Sequence, residues 1–110
     1  MDSRHHRKEI KKMAKFLILW ELDDSRAPLD AEERGTMWGA MVDMIKEDMA
    51  SGGTTDWGCF VGETKGYTVA ESDEVELAVG LQRFYPFVTF KVFPVMSIDQ
   101  MTEVAHSLTE

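Results

Sequence analysis

Two stretches of this chain read as strands that are apolar on both sides, and that property limits the folds open to it. In KFLILWEL, residues 15–22, alternation puts Phe16, Ile18, Trp20 and Leu22 on one side and Lys15, Leu17, Leu19 and Glu21 on the other. In residues 87–95, Val88, Phe90, Val92 and Pro94 alternate with Phe87, Thr89, Lys91, Phe93 and Val95. An antiparallel sheet with one wet face alternates apolar with polar residues. These strands do not, so the sheet they build needs a cover front and back. Leaving two or three such side chains in water forfeits several kcal/mol at about 25 cal/mol per Å², comparable to a domain's whole net stability.

Between and after these strands the pattern alternates in kind. Asp30, with Glu33 three residues on, opens a helix expected over about 31–51. Its apolar residues Met37, Trp38, Met41, Met44, Ile45 and Met49 recur at helical spacing, and Gly52-Gly53 ends it. The expectation for this methionine stripe is core packing, with a pliable binding surface as the alternative. Gly35 and Gly39, four apart, would let the helix approach a sheet closely. WGCFVG (57–62) and YTVAE (67–71), joined by a polar link ending in Gly66, form a hairpin. Ser72 is the expected cap of a second helix with Val75, Ala78, Leu81 and Phe84 or Tyr85 on its apolar face, stopped by Pro86. After the strand at 87–95, Ser97 and Gln100 form a capping box flanked by Met96 and Met101, and the helix they open carries the stripe Met101, Val104, Ala105 and Leu108.

The order β-α-β-β-α-β plus a terminal helix is that of a ferredoxin-like α+β sandwich with a four-stranded antiparallel sheet. Strands one and three are then central and two and four lie at the edges, where Pro94 is tolerated. The domain is expected over 13–110, with residues 1–12 a disordered basic extension. Both crossover helices fall on one face, and a single short helix is small cover for the other. A second copy, sheet against sheet, is the expected partner.

Composition excludes several functions. Residues 1–12 carry five basic against two acidic residues, so the body is more acidic than the net −8 of the whole chain. Such a body repels phosphate backbones, which argues against nucleic acid. No apolar run reaches membrane-span length. A lone Cys59 permits no internal disulfide, and the N-terminus lacks a secretory h-region, so a cytoplasmic location is expected. The body holds one histidine, His106, and neither a zinc spacing nor a phosphate-cradling loop, so no metal and no cofactor is expected.

Candidate chemistry is correspondingly thin. Glu21 and Lys91 share an alternation class on strands that become neighbours, so a carboxylate and an ammonium approach each other there. The alternative is that both meet water at strand ends. Glu71 ends strand three near the second helix, and His106 is an acid–base candidate on the terminal helix, expected to be exposed. Trp20, Trp57, Tyr67 and Tyr85 combine rings with polar handles and are the candidate ligand-binding residues. Cys59 is expected to be a buried structural thiol.

The stretches MAKFLILWEL, GYTVAESDE and YPFVTFKVFPVMS resemble the dimeric α+β barrel superfamily and, within it, a small DUF3303-like family of unknown function. The resemblance covers roughly residues 13–102. Residues 1–12 and the long first helix fall outside it. It implies a homodimer of ferredoxin-like protomers and brings no catalytic signature. From it and the residues together, the expected function is a binding or assembly module for a small apolar ligand or partner. The alternative is a cofactor-independent enzyme, isomerase- or monooxygenase-like, using Glu21, Glu71, Lys91 or His106.

Overall fold

The computed structural model describes residues 13–110; the basic extension expected over 1–12 lies outside the described residues. Strand β1 (Ala14–Leu22) leads through a short 3-10 turn, Asp24–Arg26, to helix α1 (Ala31–Ala50). Then follow β2 (Thr54–Cys59), β3 (Lys65–Ser72), α2 (Glu74–Gln82), β4 (Val88–Val95) and α3 (Ile98–Thr109). The sheet order is β2-β3-β1-β4 and every pairing is antiparallel. This is the expected ferredoxin-like α+β arrangement, with β1 and β3 central.

Local chemistry places the helices. Asp30 accepts the Glu33 amide at 3.0 Å, starting α1 with Glu32 and Glu33 in its first turn. Ser97 and Gln100 form the complete capping box of α3. The second helix departs from expectation: Asp73, not Ser72, is its cap, accepting the Glu76 amide at 2.9 Å, and the helix closes at Gln82. A carboxylate accepts more strongly than a hydroxyl at a helix start, and it moves the cap one residue on. Both hairpin strands also begin earlier than expected. Thr54–Asp56 pair although polar, because β3 offers them an open edge, and residues 60–64 turn instead, with Gly62 at φ +81°.

Register separates the two faces. Phe16, Ile18 and Trp20 of β1 lie with Ala70 of β3 and Val88 of β4, and these five are the buried apolar residues among those described. Ile18, 1% exposed, is their centre. On the opposite face Leu17 pairs with Val69 and Phe93, and Leu19 with Tyr67 and Lys91. Leu19 stays 37% and Phe93 46% exposed. Helix α3 does not close this gap: none of its residues is buried, and Leu108 on its apolar stripe is 81% exposed.

Three packing expectations are corrected. The methionine stripe of α1 is no core element, since the helix buries no residue; Met37, Met41, Met44 and Ile45 are half-buried while Trp38 and Met49 are exposed. Gly35 and Gly39 face open space, so they bring no backbone against the sheet. Cys59 ends β2 and is exposed, its thiol directed to the carbonyls of Phe60 and Glu63. All three have the same cause: periodicity reveals which residues share a face, but not whether anything within the chain comes to cover it.

Candidate functional site

A cleft of about 170 Å³ lies between the inner face of the sheet and helices α1 and α2. Its floor starts with an aromatic that crosses a strand. Trp20 of β1 sits opposite Gly66 of β3, and because Gly66 has no side chain the indole lies across β3 and reaches β2. A Cβ at Gly66 would fall on the Gly58 carbonyl oxygen and 2.7 Å from Trp20 Cζ2. Beyond the glycine Trp20 stacks on Trp57, centroids 5.2 Å apart and planes 10° from parallel. Trp20 Nε1 donates to the Tyr67 carbonyl at 3.2 Å, which satisfies the one polar atom of the ring and fixes its direction.

The roof is made by Met41 and Ile45 of α1 and by Leu77, Leu81 and Phe84 of and just after α2. Phe84 meets Phe90 of the floor edge-to-face at 6.2 Å. Polar groups gather at the edges. Arg83 Nη2 pairs with Asp48 Oδ2 at 2.7 Å, tying the end of α2 to α1, while its Nε donates to the Gly80 carbonyl and its guanidinium lies over Phe84. Glu76, Thr54 and Thr68 also line the cleft. The surface is thus an apolar trough with two carboxylates and one guanidinium on its rim.

The sequence candidates divide between places. Trp20 and Trp57 meet in the cleft. Tyr67 is on the opposite face, its hydroxyl donating to Asp56 at 2.9 Å; that hydrogen bond, with some desolvation and the carboxylate's charge, raises the phenol above its ordinary value. Tyr85 is 71% exposed in the turn after α2. Glu21, Lys91 and Glu71 all belong to the open face. Glu21 pairs with Thr89, one row from Lys91, and Glu71 lies at the far end of the sheet opposite Lys15. His106 is exposed on α3. None of these four lines the cleft, and among the described residues no three metal-ligating side chains gather. The residues that sequence reasoning missed are Asp48, Arg83 and Glu76. Their places depend on how two helices lie side by side, and only Gly66, facing Trp20 in the register, left a legible trace.

The family pattern described as Domain of unknown function (DUF3303) matches residues 14–109, and the chain belongs to that family. No curated protein and no solved structure matches it.

Proposed function

We propose that this DUF3303 protein is a binding module whose cleft takes a small, uncharged, single-ring or comparably sized apolar molecule. The observation that carries the reading is the pairing of a cleft of about 170 Å³ with the Trp20–Trp57 stack as its wall. A dry cavity of roughly 150 Å³ admits benzene, so the volume suits one ring, and the indoles supply a flat face for it. An isomerase- or monooxygenase-like reading would have to draw its acid and base from the cleft's rim groups, since Glu21, Glu71, Lys91 and His106 lie elsewhere.

Toluene titrated into the protein is expected to shift the indole N–H resonances of Trp20 and Trp57 saturably. Gly80→Leu, where a new Cβ meets only Arg83 Nη2 at 3.8 Å, fills the cleft from α2 and abolishes that shift. Unmoved indole resonances at saturating toluene would sink the reading.

The protein is further proposed to act in the cytoplasm as a homodimer joined through the open sheet face, without nucleic acid or membrane. Support comes from the exposed Leu19 and Phe93, and from α3 leaving them uncovered. Among the described residues no helix is long and apolar enough to cross a membrane. Sedimentation equilibrium is expected to give twice 12.5 kDa, and a particle of 12.5 kDa at high concentration removes the dimer.

A further inference from the structure

The open face carries its charges in a pattern that specifies how a second copy fits. Four rows cross β3, β1 and β4 on this face: Lys65–Glu21–Thr89, Tyr67–Leu19–Lys91, Val69–Leu17–Phe93 and Glu71–Lys15–Val95. The two middle rows are apolar apart from Lys91 and the Tyr67 hydroxyl. The outer rows each hold one acid and one base on the central strands, with the order reversed between the ends: β1 reads Lys15 then Glu21, and β3 reads Lys65 then Glu71. All four are exposed, and among the described residues no ion pair joins any of them to another. The charges therefore bound an apolar centre: Lys15 lies beside Glu71 and Glu21 beside Lys65 on neighbouring strands of the same sheet, opposite in sign and exposed, without closing into an ion pair.

Two copies packed face to face are related by a two-fold axis lying in the plane between the sheets. An axis along the strands, midway between β1 and β3, lays β1 over β3 of the other copy. Lys15 then faces the partner's Glu71 and Glu21 faces the partner's Lys65, while Leu17 and Leu19 meet the partner's Val69 and Tyr67. The same axis brings β4 over β2, which lays Lys91 over the partner's Gly58, one row from the partner's Asp56, while Asp56 lies over the partner's Phe93. Sheets stack about 10 Å apart, a gap that extended lysine and glutamate side chains span together. An axis across the strands also matches the four outer charges but lays β4 over β4, which keeps Lys91 far from the partner's Asp56 on β2. An orthogonal crossing carries the outer rows off one another altogether. The face measures about 19 by 26 Å from strand spacing and rise, roughly 500 Å² before side-chain relief, within reach of the ~800 Å² per partner of a stable pair.

We propose that Lys15, Glu21, Lys65 and Glu71 set the register of a homodimer of aligned sheets, each base of β1 or β3 facing the acid of the partner's other central strand. This rests on the open-face dimer proposed above. Its test separates the two. Lys15→Glu with Lys65→Glu makes the set wholly acidic, and Glu21→Lys with Glu71→Lys makes it wholly basic. Each variant alone is expected to lose about a hundredfold or more in self-association at low salt, and a mixture of the two to form a one-to-one heterodimer. Within one chain, exchanging Lys15→Glu with Glu71→Lys keeps opposite charges facing and preserves the dimer. Exchanging Lys15→Glu with Glu21→Lys puts like over like and dissociates it. A monomeric wild type overturns the dimer and this register with it. A dimeric wild type whose acidic and basic variants each self-associate as tightly overturns the register alone, as does the reverse outcome of the two exchanges. Because all four side chains are exposed, the heterodimer itself reports that both variants fold.

Discussion

Gly66 and Gly58 each make room for an aromatic ring from the neighbouring strand, one on the cleft face and one on the open face. At Gly66 an added Cβ would run into the Gly58 carbonyl and lie 2.8 Å from Cys59 Cα, both backbone, as well as against Trp20. At Gly58 the three atoms nearest to it would all belong to the Tyr67 ring, with Cζ at 3.0 Å. Backbone held in a ladder cannot yield, whereas a ring at a surface can swing away. One device thus serves the two faces with different tolerance: the cleft face is fixed, and the open face adapts. The same contrast holds for β1 itself, whose inner residues Phe16, Ile18 and Trp20 are buried while Leu17 is half-buried and Leu19 exposed on the other side.

The fixed face is where a single added atom does most harm. Gly66→Ala is expected to cost about 3 kcal/mol or more, enough to abolish folding in a domain with so small a core; an unchanged urea midpoint would show that β2 and β3 can part. Ile18→Ala should cost about 2–5 kcal/mol by loss of burial and cavity formation. Gly58→Ala should cost about 1–2 kcal/mol, largely recovered in Gly58→Ala/Tyr67→Ala, and a double mutant no better than the single would place the strain in the backbone. Leu19→Ala in dilute protein should cost under ~1 kcal/mol, its larger effect appearing as weakened self-association. Losses at Leu19 equal to those at Ile18 would mean that the faces are equally buried.

Electrostatic contributions on both faces are smaller. Asp48→Ala should change stability by only about 0.5 kcal/mol, because the Asp48–Arg83 pair is partly solvated, with side chains 28% and 44% exposed. A loss several times larger would show that this pair, and not apolar contact, holds α1 over the cleft. On the open face, Tyr67 holds its proton above the ordinary 10.0 when folded, chiefly through its hydrogen bond to Asp56. The raised folded value means that its stabilising contribution is complete below pH ~10 and fades as pH rises through the folded value. Phenolate absorbance should therefore titrate above 10.0 in the wild type and move down in Asp56→Asn.

Much of the fold is legible in the order of the residues. The period-two stretches, the hairpin link and the capping residues carry local instructions, and β-α-β-β-α-β order with antiparallel pairing leaves few topologies. The departures are of another kind. Ser72 against Asp73 at the α2 cap is a contest between two adjacent acceptors. The spacing of the methionine stripe, Gly35 and Gly39 permits close packing, and spacing is silent on distance. Of the ligand-binding candidates, Trp20 and Trp57 come together, while strand alternation sends Tyr67 to the other face once its opposite number is known to be Leu19.

What the residues alone determined was the element order, the sheet's central and edge strands, and the apolar patterning of both sides of β1 and β4, because hydrogen-bonding periodicity and apolar patterning act over a few neighbours. Tertiary structure decided the stack of Trp20 on Trp57 through the gap at Gly66, the tie of Asp48 to Arg83 at the cleft rim, and the placing of α3 with none of its residues buried. Those depend on register and on the placement of helices, which bring together residues 35 to 47 positions apart, and no local pattern encodes a distance of that kind.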